Sequence, residues 1–275
     1  WLVKSPLIVP PGYTLKATKG TVLEFANDGY ILSHGQVSFI GTLENPIILK
    51  PHKNNKFWKG FTILGNSEYP KSILKNVNIT GTTALDHRGW IVDAGTFIYQ
   101  AEILLDNIKI INNNCEDAIN IVGSKYNIQN IEIKDTMIDG LDVDFSDGKI
   151  FGGVFTNIGQ VEGADAIDFS GSSSELEELL ISGVYDKGIS IGEKSNIHAN
   201  NINLSNLSIG VAIKDGSSLI MEDSKISDAD TGVLAFIKKR EYGAPTARLN
   251  NIEIKTTTVN VRSDIDTTIF LEGIL

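Results

Sequence analysis

The sequence predicts an all-β solenoid of stacked coils, each using about 22 residues, and three observations carry that prediction. A small residue recurs six times, at Ala118, Gly140, Ala166, Gly188, Gly210 and Gly232, in steps of 22, 26, 22, 22 and 22. Each is followed by the same alternation. The next position is Ile119, Leu141, Ile167, Ile189, Val211 and Val233, and two further on come Ile121, Val143, Phe169, Ile191, Ile213 and Ala235. Period-2 alternation marks strands that bury one side, and the Asn, Asp, Ser and Gly between them supply turns. Helical caps and 3.6-residue periodicity are scarce.

Taken in order, residues 1–90 read as irregular early coils, 91–248 as regular coils and 249–275 as the close of the stack, all in one domain. The regular part carries a second apolar column at Ile128, Ile150, Leu176, Ile197 and Leu219. Within it LEELL (176–180) has the composition of a helical turn but falls in the strand column. The Asn-rich runs IINNN (110–114) and HANNINLSN (198–206) suit corners where amides ladder from coil to coil. Two longer loops are expected in the front half, at 51–55 and 82–89. The leucine-rich repeat has a similar period, but its recurring LxxLxL followed by Asn is absent.

Composition narrows the function classes. The net charge of −10 argues against nucleic acid, which requires a basic footprint. No run of 18 apolar residues spans a membrane. The single cysteine, Cys115, permits no internal disulfide and reads as a buried structural thiol. Four scattered histidines (His34, His52, His87 and His198) show no zinc-ligand spacing, and His87-Arg88 reads as loop. The chain opens on Trp1 without an initiator Met, which suggests a processed part of a longer product with flanking domains.

Alternation also fixes what points outward. The column after Ile119 is Asn120, Asp142, Asp168, Ser190, Ala212 and Leu234, and two positions on lie Val122, Asp144, Ser170, Gly192, Lys214 and Phe236. Before the small residue stand Asp117, Asp139, Asp165, Lys187, Ile209 and Thr231. Asp139, Asp142, Asp144, Asp165 and Asp168 therefore crowd two coils of one face. Stacked like charges destabilise a sheet unless something compensates them, which favours catalysis or cation binding over plain solvation. Asp142 and Asp168 would be neighbours about 5 Å apart, with Asp144 and Asp168 diagonal at about 8 Å. Paired carboxylates cut glycosidic bonds with retention at about 5 Å and with inversion at roughly 6.5–9.5 Å. Asp142, Asp144 and Asp168 are thus candidate catalytic residues, and alternatively oxygen ligands for a calcium ion. Asp139, Asp165, Lys187, Lys214, Lys238 and Tyr242 are candidate glycan-binding residues. Asp186-Lys187 and Lys214-Asp215 are candidate ion pairs.

The repeats, with PPGYTLKATKGTVLEF (10–25), GQVSFIGTLENPIIL (35–49) and FWKGFTIL (57–64) in the front half, resemble the right-handed parallel β-helices of the pectin-lyase-like superfamily. The chain also resembles β-helix regions of large bacterial surface proteins. The resemblance implies a polysaccharide on the outer face of one sheet and an extracellular or cell-surface setting. Polygalacturonase-like members invert, which would make Asp168 the general acid and Asp144 the base. Their adjacent Asp-Asp, Gly-His-Gly and Arg-x-Lys motifs are absent here. Alginate epimerases place Asp-Pro-His-Glu on the sheet and an Asp on the next coil; Asp142-Val-Asp144-Phe145 with Asp168 is similar, with Asp144 where the His would be. A uronate lyase or epimerase would need Lys187 or Lys214 to neutralise the sugar carboxylate. A non-catalytic rod or binding module is the other alternative.

Overall fold

The computed structural model describes residues 1–53, 55–66 and 69–273. Residue 54 of the expected 51–55 loop and residues 274–275 of the closing segment lie outside them. Among the described residues, 21 strands pair into one continuous sheet that winds as a parallel β-helix, and a separate two-stranded hairpin stands beside it. There are about 12 turns, about 23 residues apart.

Each coil visits three faces. The first face carries Leu7–Val9, Ile31–Ser33, Phe61–Leu64, Ala94–Tyr99, Asp117–Val122, Asp139–Asp144 and Asp165–Ser170, then the ends of longer strands. Its register joins Ile119, Leu141, Ile167, Ile189, Val211 and Val233 in one row, as the sequence columns require. Stacking those rows buries a continuous interior of Ile, Leu, Val and Phe that no coil could bury alone.

The corners explain the polar residues. Between the second and third faces the chain turns on one left-handed residue: Asn76, Asn107, Asn130, Gly152, Glu178, Asn201, Asp223 or Asn251. Asn and Asp tolerate this conformation better than other L-residues. Amides ladder between coils here, outside the two Asn-rich runs named above: Asn107 Nδ2 donates to Asn76 Oδ1 at 2.7 Å, and Asn251 Nδ2 to Asp223 Oδ1 at 2.6 Å. Glu178 takes the corner within LEELL, so that run is strand on both sides.

At the corner from first to second face a serine ladder does the same work. The backbone N–H groups of Ser124, Ser146, Ser172 and Ser195 donate to the hydroxyls of Ser146, Ser172, Ser195 and Ser217 on the next coil, at 2.9–3.2 Å. Each serine satisfies a buried N–H that the bend removes from the sheet.

Two sequence expectations need correction. Leu176 pairs with Ala199, while Ile197 pairs with Ser174, so the second apolar column slips by two residues at that coil. The corner Glu193-Lys194, with both residues left-handed, is one residue longer than Gly171, which moves the alignment. Lys214 and Asp215 do not pair; Asp215 accepts the backbone N–H groups of Lys238 and Lys239 at 2.7 and 2.6 Å. Lys214 extends the other way along the face, its Nζ 4.0 Å from Asp168 Oδ1.

Candidate active site

The expected acidic columns meet on the outer side of the first face. Asn120, Asp142 and Asp168 lie in register on three successive coils, and Asp144 pairs with Val122 and Ser170. The 26-residue step from Asp142 to Asp168 is absorbed by a longer connection around residues 159–164, outside the sheet. Asp117 pairs with Asp139, which extends the acidic patch to a third coil.

Asn120 sits at the centre of the patch. Its Nδ2 lies 2.9 Å from Asp142 Oδ2, 3.1 Å from Asp117 Oδ2 and 3.4 Å from Asp144 Oδ2. One amide thus gathers three carboxyls that would otherwise repel one another. Burial pushes the Asp142 carboxyl up to about 9, with the charges of Asp117, Asp144, Asp168 and Asp139 adding to it. Asp117 is pushed up to about 8 by burial and by Asp139, against the opposing hydrogen bond from Asn120. Burial also raises Asp144. Burial thus favours the protonated form of Asp142 and Asp117.

Asp139 and Asp165, expected to contact the sugar, each bind the backbone of the next coil. Asp139 Oδ1 accepts the Asp165 N–H at 2.7 Å, and Asp165 Oδ1 accepts the Lys187 N–H at 3.2 Å. Each carboxyl pins the start of the next strand. Burial holds them up, at about 7 for Asp139 and about 6 for Asp165, whose value the Lys187 ammonium tempers. Lys187 Nζ also pairs with Asp186 at 2.5 Å, so its charge is already engaged.

Ser190 and Ala212 were expected to face solvent but are 0% exposed. Lys214 runs over Gly192, its Cε 3.4 Å from where a Cβ would stand, and lies flat along the face. Ser190 Oγ and Asp168 Oδ1 are buried without a protein hydrogen-bond partner. Lys238 and Tyr242 belong to a connection containing the 3₁₀ turn Arg240–Tyr242. Among the described residues, no hydrogen bond or ion pair joins their side chains to the acidic patch. The connection reaches the site through Lys239, whose Nζ pairs with Glu193, while Glu193 accepts the Ser170 hydroxyl at 2.9 Å. Among the described residues, no three His, Cys, Asp or Glu side chains come together in a metal-holding arrangement.

The feature that sequence reasoning missed is a wall. Leu85–His87 and Trp90–Val92 pair as an antiparallel hairpin whose turn, Arg88-Gly89, has both residues at positive φ. Residues 85–87 of the loop expected at 82–89 are therefore strand, and of the expected loop pair His87-Arg88 only Arg88 lies in the turn. The hairpin flanks Phe97 and Tyr99, whose rings stack 6.2 Å apart on the same outward face as the acids.

The chain is a parallel β-helix whose structural neighbours process polysaccharides. A single-residue variant of the periplasmic alginate epimerase AlgG aligns over 98% of this chain and 76% of its own, at 9% identity and a TM-score of 0.66. AlgG without that substitution aligns over the same shares at 10% identity and a TM-score of 0.53. An alginate lyase from a Paenibacillus species covers 95% of this chain and 98% of its own, at 13% identity and a TM-score of 0.47. At these identities the likeness shows the fold alone. No protein-family model matches the chain, and no curated protein matches it by sequence.

Proposed function

We propose that the chain engages and processes a polysaccharide on the outer side of its first face, by general acid and base chemistry. The observation that carries this reading is the outward row Asn120–Asp142–Asp168 with Asp144 beside it, in which burial favours the protonated form of Asp142. A protonated carboxyl beside further carboxyls is the arrangement that glycosidic cleavage needs. In this reading Asp142 gives its proton to the leaving oxygen. Asp144, two residues on at about 7 Å, and Asp168, one coil on at about 5 Å, are the carboxyls available to activate water or attack the sugar.

Charge selects among glycans. The cations near the patch are engaged, Lys187 by Asp165 and Asp186, Lys239 by Glu193. That leaves Lys214, lying toward Asp168, as the cation available to a uronate carboxylate. The site therefore favours a neutral or amine-bearing glycan over a uronate, although AlgG is by name an alginate epimerase. An extracellular or cell-surface setting suits such a substrate, and no described helix is long and apolar enough to cross a membrane.

The test is a glycan panel read by mass spectrometry with the wild type and with Asp142→Asn, Asp144→Asn and Asp168→Asn. Conversion of a neutral or amino glycan by the wild type, lost in Asp142→Asn, supports the reading. Identical behaviour of all four proteins on every glycan removes it. Calorimetric calcium titration separates the alternative in which the same carboxyls hold a cation.

A further inference from the structure

The first face is not open along its whole length. Leu32 and Thr62 occupy outward positions on the early coils, in the row that continues to Phe97 and Asn120. They are nevertheless only 2% and 1% exposed. The hairpin lies over this end of the face: Leu85 and Val92 pack with Tyr30, Leu32 and Ala94 in a cluster separate from the helix interior, with Leu64 and Phe97 against it. Tyr30 Oη and His87 Nδ1, 2.5 Å apart, tie the hairpin to the coil beneath. Trp90 meets the Phe97 ring edge-on at 6.4 Å and keeps 40% of its surface exposed.

Beside Trp90 is a cavity of about 270 Å³, whose lining includes Asp93, Phe97, Glu116, Asp117 and Asn120. That is just below the roughly 300 Å³ at which pockets for drug-sized ligands begin, so it has room for a short piece of a chain and not a long one. Only three coil steps, about 14 Å, separate Phe97 from Asp168. A glycan laid along the face from Asp168 towards the N-terminal coils runs into the hairpin within that distance. In the other direction Leu234 and Phe236 remain partly exposed, and a chain can leave that way.

We propose that the cavity beside Trp90 receives the terminal sugar of a neutral or amine-bearing glycan, so that the site acts at chain ends and not within chains. Trp90 and Phe97 offer apolar surface to a sugar ring, while Asp117, Glu116 and Asn120 offer hydrogen-bond partners to its hydroxyl or amino groups. This inference rests on the reading of the face as a glycan site.

The experiment uses linear neutral and amino-sugar oligosaccharides carrying a bulky fluorescent cap at the reducing end, at the other end, at both or at neither. Each is incubated with the wild-type chain and the products are sized by mass spectrometry. The expected result is release of one or two sugars from a single end, abolished by the cap at that end and unaffected by the cap at the other. Trp90→Ala, which leaves the apolar contacts of Leu85 and Val92 in place, is expected to weaken substrate use about tenfold through KM. Mid-chain products, or indifference to both caps, overturn the end-acting inference while the glycan reading stands. No conversion of any uncapped oligosaccharide by the wild type removes the glycan reading and this inference with it.

Discussion

Replacing Asp142 by Asn tests the electrostatics of the face through stability alone, without a substrate. An aspartate in an unfolded chain ionises near pH 3.9, whereas Asp142 in the fold ionises at about 9. Between those values the unfolded chain has released a proton that the folded chain keeps. Raising the pH therefore favours the unfolded chain: stability is full below about pH 4, falls by about 1.4 kcal/mol per pH unit, and levels off above about pH 9. From pH 5 to pH 8 this amounts to about 4 kcal/mol for one proton. Asparagine has the same shape and no proton to lose. The variant should match the wild type below about pH 4, and its advantage should grow by about 4 kcal/mol between pH 5 and pH 8. Urea unfolding at pH 5, 6, 7 and 8, with m unchanged, reads the difference directly. Parallel stability–pH curves for the two proteins would refute the argument that burial holds this carboxyl protonated.

Three further outcomes follow from the same geometry. Asn120→Ala removes the donor shared by Asp117, Asp142 and Asp144, and should steepen the loss of stability between pH 5 and 8 in the same urea experiment. Ser146→Ala leaves the buried Ser124 N–H without its acceptor and should cost about 1–3 kcal/mol at pH 7, whereas the exposed Ser218→Ala should change stability by less than about 0.5 kcal/mol. Burial pushes the Cys115 thiol far up, so a thiol reagent at pH 8 should label it only after denaturant is added.

The first face was legible because its information is local and repeated. Ala118, Gly140 and Ala166, each followed by alternating apolar residues, fix which side chains point in, and register then places Asp142 beside Asp168 without any reference to distant contacts. The serine ladder was equally readable, since Ser124, Ser146, Ser172, Ser195 and Ser217 keep nearly the same step; hydroxyls in turns simply have many other uses. Ile197 was misplaced because corners are where residues are inserted, and one extra left-handed residue after Glu193 shifts everything behind it. The hairpin could not be read at all. Its position depends on Tyr30 meeting His87, 57 residues away, and on Leu32 being outward yet apolar, which breaks the pattern the repeat teaches. The protonation of Asp142 was likewise hidden, because adjacency predicts repulsion but only the fold supplies the burial that dominates it.

The other two faces of the helix supply the control that decides whether the acidic patch has a task. There the chain balances its outward charges coil by coil: Lys75 meets Asp106 at 2.7 Å, Lys109 meets Glu132 at 2.6 Å, Lys149 meets Glu175 at 2.5 Å and Lys225 meets Glu253 at 3.4 Å. Stacked opposite charges are what a parallel sheet needs to keep a long face soluble without repulsion. On the first face the pairing is partial: Lys187 meets Asp165 at 3.0 Å, but among the described residues the carboxyls beside Asp165 lack such partners. Asp117, Asp139, Asp142 and Asp144 share neighbouring coils, and among the described residues none of them has a cationic partner. Carboxyls placed for solvation would be ionised and paired as on the other faces, not buried and held protonated. Ser190 Oγ and Asp168 Oδ1, buried on the same row without a protein hydrogen bond, add unmet polar groups where an ordinary sheet surface would have none. Such costs are concentrated at functional sites. The contrast between paired and unpaired faces of one solenoid thus argues for chemistry on the first face more strongly than the carboxyl spacings do alone.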